Sequence, residues 1–154
     1  MALIIENGTG VTGADSFETV AECSAFAVAY WGHALTGSDA DKEAALRRAF
    51  VLMSAMAWKP DLWPTFGGTI PDAVKHAQAA IARVEFQSPG SLSPVYDKSN
   101  AKTLIAVGSL QWAPKAGPNT VEAARPVVTM AMDFLKAAGL LQESTGGVTW
   151  LNRA

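Results

Sequence analysis

Thiols, imidazoles and charges are all scarce in this chain. It has one cysteine, Cys23, in 154 residues, which excludes an internal disulfide and a thiol-rich metal site. Cys23 falls within a helical pattern and reads as a buried structural thiol. There are two histidines, His33 and His76, and neither stands at a spacing that suits zinc. Charged residues make up 17% of the chain, against roughly 25% in ordinary globular chains. The net charge is −2 and the isoelectric point is near 5.6. Lys and Arg are scattered, with Arg47-Arg48 the longest basic run. A stand-alone nucleic-acid binder usually carries a basic stripe, and composition gives none here. Long apolar runs are missing too, since none approaches the ~20 residues that span a bilayer. The opening MALIIENGTG has no basic region of the kind that starts a secretory signal. The expectation is a soluble protein made in a reducing cytosol.

What the chain does have is apolar content, 49% of its residues, much of it alanine, the best helix former. Its length suits one domain, large enough to bury about 70% of its unfolded surface. Few charges on so small a chain leave apolar surface to cover, a hint of self-association. Residues 2–5 read as a short strand within an N-terminal arm, 1–14, broken by Gly8, Gly10 and Gly13. Helix one is expected over about 16–31, capped by Asp15 or Ser16, with Phe17, Val20, Ser24, Ala27, Val28 and Trp31 at helical spacing. From Ser16, Thr19 stands where a capping box needs Glu. Helix two runs about 39–57, N-capped by Ser38, with Leu46, Ala49, Phe50, Met53 and Ala57 as its apolar stripe. The Trp- and Pro-rich loop 58–69 folds Trp58, Trp63 and Phe66 over the core edge. Helix three, about 71–87, opens on Pro71 and buries Val74, Ala77, Ile81 and Val84. Residues 95–118 read as an extended loop or hairpin around Gly108-Ser109. Helix four, about 126–138, opens on Pro126, stops at Gly139 and is apolar on two sides. One face is Val128, Ala131, Met132 and Leu135; the other is Val127, Met130 and Phe134. Residues 140–154 form a C-terminal docking tail with Trp150 and Leu151 near its end. The expected fold is therefore mainly α: a four-helix bundle with a short N-terminal strand and a protruding extended β-loop between helices three and four.

Chemistry is hard to find. Gly8-Thr9-Gly10-Val11-Thr12-Gly13 fits G-x-G-x-x-G between a strand and a helix, the context of a dinucleotide-binding turn. No second parallel strand follows helix one, so the glycines read as a turn. Asn7-Gly8-Thr9 matches a glycosylation sequon without a secretory signal to make it meaningful. Asp39 and Asp41 read as first-turn charges of helix two, not as an acid–base pair. No local Ser-His-Asp signature appears. The five tryptophans, Trp31, Trp58, Trp63, Trp112 and Trp150, would need interleaved Lys and Arg to serve as stacking platforms for single-stranded nucleic acid. Only Trp58, beside Lys59, approaches that pattern, so packing is the reading adopted. No enzyme activity, metal or cofactor is expected.

Three stretches together resemble the head–tail adaptor (head-completion, connector) family of long-tailed phages. They are Gly8-Thr-Gly-Val-Thr-Gly-Ala-Asp-Ser-Phe17 leading into Val20-Ala21-Glu22; Asp41-Lys-Glu-Ala-Ala-Leu-Arg-Arg-Ala49; and Ile70-Pro-Asp-Ala-Val-Lys75, followed later by Arg125-Pro126. Their order and spacing agree over residues 3–138. Some members carry the label of DnaT-like single-stranded DNA-binding proteins, and that is the alternative reading. The resemblance implies one adaptor domain over 1–154 and a virion protein of the phage neck, made in the host cytoplasm. It implies a ring of identical subunits, twelve in the usual case, bound to the portal and to the next neck or tail-terminator protein. DNA would pass through the lumen without sequence-specific contact, and no membrane is involved. Such a ring needs two different, closing interface patches. Leu104, Ile105, Val107, Leu110 and Trp112 from the extended loop are the candidates, with Val127, Met130 and Phe134 from helix four. Val148, Trp150, Leu151 and Arg153 are the candidates for docking on the portal.

Overall fold

The computed structural model describes residues 2–93 and 127–142, together with the backbone of 102–106 and 111–114. Among the described residues there are four α-helices: α1 (Val20–Trp31), α2 (Asp39–Ser54), α3 (Asp72–Gln87) and α4 (Thr129–Ala137). A short 3-10 turn, Phe66–Gly68, precedes α3. The backbone also pairs β1 (Lys102–Ala106) with β2 (Gln111–Pro114), antiparallel, with an irregularity between Leu104 and Ala106. Whether that segment protrudes lies outside the described residues, as do Val107, Leu110 and the tail beyond Gln142.

α3 is the element the others gather on. It packs most extensively on α2, then on α4, then on α1. Of the expected stripe, Val74, Ala77 and Ile81 are fully buried and Val84 is only half-buried, while burial extends to Ala79, Ala80 and Ala82. Small alanines let neighbouring helices close in on several sides, which a single 3.6-residue stripe does not announce. Gln78, also fully buried, is the polar tie at the centre. Its Oε1 accepts from the Phe17 N–H at 2.8 Å. Its Nε2 donates to Ser16 Oγ and to the Leu46 carbonyl, each at 3.0 Å.

Two aromatic groups close the ends of this core. Phe17 meets Phe50, Trp63 and Phe66 at ring separations of 4.9 to 5.6 Å, and Trp58 stacks on Trp63 at 5.3 Å. The Trp- and Pro-rich loop thus covers the core edge as its composition suggests. Phe26 stacks on Tyr30 and on the His76 ring at 4.2 and 4.7 Å, joining α1 to α3, and Phe134 of α4 completes that group.

Several expectations need correction. No N-terminal strand forms, because residues 2–5 make only an isolated bridge between Ile5 and Ser16. The chain that could pair with them turns away at once to cap α1. α1 begins at Val20, not near 16, because the backbone of Ser16 and Phe17 is already engaged by Glu6, Ile4 and Gln78. Its cap is Thr19, in a complete capping box with Glu22. Phe26 and Cys23 are buried on α1, while Val28 is half exposed. α2 ends at Ser54, where the Met56 N–H and the Trp58 indole N–H both donate to the Met53 carbonyl, at 3.0 and 2.7 Å. Pro71 is the N-cap of α3, not its first residue. Where α4 begins differs too: Thr129 opens it, three residues after Pro126.

Candidate nucleic-acid interface

The G-x-G-x-x-G loop is already filled, by the chain's own carboxylate. Glu6, 1% exposed, accepts the Gly8, Gly10 and Val11 N–H groups at 2.8, 2.9 and 2.7 Å. Burial would raise the Glu6 pKa; the N–H groups of Gly10, Gly8, Val11 and Thr9 outweigh it and hold the carboxyl below its usual range. The glycines curl their amides around an anion, as phosphate-binding loops do, but the anion is internal. Gly8 also sits against the 3-10 turn: a Cβ there would lie 2.5 Å from the Gly68 carbonyl carbon. The loop is a structural latch between the arm and residues 67–69.

The other sequence candidates fall in separate places. Val127 is 75% exposed. Met130 and Phe134 are half-buried and pack against the core of their own chain. Leu104, Ile105 and Trp112 lie in the paired strands, with only their backbone described. Val107, Leu110, Val148, Trp150, Leu151 and Arg153 lie outside the described residues. Cys23 is 2% exposed, and burial, with the nearby Glu18 charge, pushes its thiol up to about 12, which leaves it inert. His33 Nδ1 lies 2.7 Å from the Trp31 carbonyl. Asp39 pairs with Lys42 at 3.3 Å within the first turn of α2. Among the described residues no cluster of three His, Cys, Asp or Glu could hold a metal, and no helix is long and apolar enough to cross a membrane.

A groove that the sequence reading missed forms where α4 ends. α4 stops in a Schellman arrangement: the Gly139 N–H donates to the Lys136 carbonyl and the Leu140 N–H to the Leu135 carbonyl, at 2.9 and 3.0 Å. Gly139 takes φ 65°, which glycine adopts without strain. The chain then runs beside 57–59. The Lys59 N–H donates to the Leu140 carbonyl at 3.0 Å, and the Gln142 N–H to the Ala57 carbonyl at 2.8 Å. This small ladder, with Leu140 buried as its plug, holds a groove of about 670 Å³ open between Met56, Lys59, Met132, Lys136, Leu141 and Gln142.

Its electrostatics set it apart. Lys59 and Lys136 both line it, and no carboxylate does. Three other grooves of the molecule each carry at least two acids. Lys136 stands in the last turn of α4, where a cation suits the negative end of the helix dipole. Lys59 Nζ reaches toward Gly139, 3.7 Å from where a Cβ would stand. Two ammonium groups above a floor of methionine and leucine offer what a nucleotide needs: cations for phosphate and a soft apolar surface for a base. Trp58 itself is no stacking platform, since it is 7% exposed.

Residues 1–64 match the model of a family described as "Putative DnaT-like ssDNA binding protein". The match spans the arm, α1, α2 and the loop as far as Pro64, so it includes Lys59. It favours the alternative of the sequence reading over the head–tail adaptor. No curated protein matches the chain, and neither does any solved structure.

Proposed function

We propose that this chain binds single-stranded DNA, in the manner its family match names, and that the Lys59–Lys136 groove takes the strand. The match over residues 1–64 carries this reading. The groove supports it, because its lining combines two lysines with apolar side chains and no acid. Lys59 and Lys136 would sit on successive phosphates, while Met56, Met132 and Leu141 would meet the face of a base. With two phosphate contacts and a net charge of −2, binding is weak and salt-sensitive. The logarithm of affinity falls against that of salt with a slope of about −1.4, ~0.7 for each lysine on a single strand. Fluorescence anisotropy of a labelled oligothymidine between 50 and 200 mM salt tests this. Saturable binding with that shallow slope is expected, and no binding at the lowest salt would overturn it.

A second reading, a subunit of a phage head–tail adaptor ring, draws on a different observation. Val28, Tyr30, Val51 and Val127 are large apolar side chains left between 47% and 75% exposed on the single chain, which suits a protein that covers itself with neighbours. On this reading the partners are copies of itself, twelve to a ring, with the portal and the next neck or tail-terminator protein; the location is the virion. Electron microscopy of the chain mixed with portal would show rings, and oligonucleotide binding would be absent.

A further inference from the structure

Glu18 lines a cleft that the DNA-binding reading does not use. It is 2% exposed, and its Oε1 has no hydrogen-bond partner. Ser16 holds its backbone: the Glu18 N–H donates to Ser16 Oγ at 3.2 Å, and the Ser16 hydroxyl donates to the Glu18 carbonyl at 2.7 Å. The carboxyl lines a cleft of about 400 Å³ between α1 and the start of α3. Phe26, Tyr30 and His76 supply aromatic walls there, and Glu22, Asp72 and Lys75 stand at the cleft. Lys75 is already paired, with Glu22 at 3.0 Å, so it leaves Glu18 Oε1 unmatched. An unpaired buried acceptor is costly unless something partners it.

We propose that this cleft is a binding site for an organic cation, an ammonium or guanidinium on an alkyl stem, with Glu18 as its counter-ion. The aromatic rings take the stem and the cation's flank, as rings do for alkylated ammonium groups. Glu22 and Asp72 add negative potential around the cleft, and Lys75 offsets one charge. The site shares no residue with the Lys59–Lys136 groove, so the two assignments fail independently.

Binding releases a proton. Burial first, then the Glu22 charge, push the empty Glu18 carboxyl up to about 8, with Lys75 opposing, so it is protonated at neutral pH. Cys23 faces Glu18 from α1 and stays protonated. A cation drives Glu18 to ionise.

Calorimetric titration of the intact chain with agmatine tests the site, run at pH 7 in phosphate and in ACES. Saturable heat that differs between the buffers by close to one proton is expected, with no saturation by n-butanol. Glu18→Gln should weaken binding at least about tenfold and abolish the buffer dependence. Should that variant fail to fold, Tyr30→Ala, at an exposed wall position, should weaken binding severalfold. A capped glycyl-arginyl-glycine peptide, run in parallel, tells a protein side chain from a free amine as the source: peptide binding favours the former, agmatine binding alone the latter. No saturation by either probe, or wild-type affinity in Glu18→Gln or in Tyr30→Ala, would overturn the assignment.

Discussion

Three buried carboxylates behave in two opposite ways, and pH separates them. Glu6 is held below its usual range by loop N–H groups that outweigh its burial. Burial likewise raises Glu85, and the Gly90 and Leu92 N–H groups and Arg48 more than reverse it. Both contribute stability that is present above their ordinary value near 4.5 and lost as pH falls through their lower folded values. Glu18 works the other way. Its folded carboxyl keeps a proton that the unfolded chain releases near 4.5, so stability falls as pH rises from there to about 8. Thermal unfolding should therefore peak near about pH 5. Glu18→Gln should flatten the alkaline limb and leave the acid limb in place; an unchanged alkaline limb would contradict the assignment. Gln78 makes a simpler case. Gln78→Leu keeps the volume and strands the buried Phe17 N–H, which should cost about 1–3 kcal/mol in urea unfolding. None of these roles is legible locally. Glu18 and Gln78 look like surface residues in the chain, and only the approach of α3 to the 16–18 segment makes them otherwise.

At the level of elements, periodicity and capping revealed more. Of the α2 stripe, Leu46, Ala49 and Met53 are fully buried, Phe50 is half-buried and Ala57 lies exposed beyond the helix end; Ser38 caps that helix as its position suggests. The start of α1 was harder, because Ser16 and Thr19 are both good caps and stand three residues apart. Tertiary bonds to Ser16 and Phe17 decide for Thr19. Thr19→Ala should lower stability by about 1 kcal/mol, measured by thermal melting, with α1 losing amide protection first. The glycine loop misleads for a physical reason. An anion cradle looks the same in sequence whether its anion is a ligand or Glu6. Gly8→Ala adds a Cβ 2.5 Å from the Gly68 backbone at φ 101°, and should cost more than about 1 kcal/mol, whereas Gly10→Ala, whose Cβ would meet only Thr65 Cγ2 at 3.6 Å, should cost less.

For the whole molecule, the helical class follows from the alanine content and the caps, while the proposed site forms where distant segments meet. The Lys59–Lys136 groove joins the end of the matched region to the end of α4, and no window of sequence holds both lysines. An acidic chain can thus present a local cationic strip that its overall charge conceals. The central claim, that this strip binds single-stranded DNA, is tested most directly by the double variant Lys59→Glu/Lys136→Glu in the oligothymidine anisotropy assay at 50 mM salt. Both side chains are exposed, so the fold should persist, as circular dichroism would check. Loss of binding in the variant, against saturable binding by the wild type, is the predicted result. Equal binding by the two proteins would contradict it.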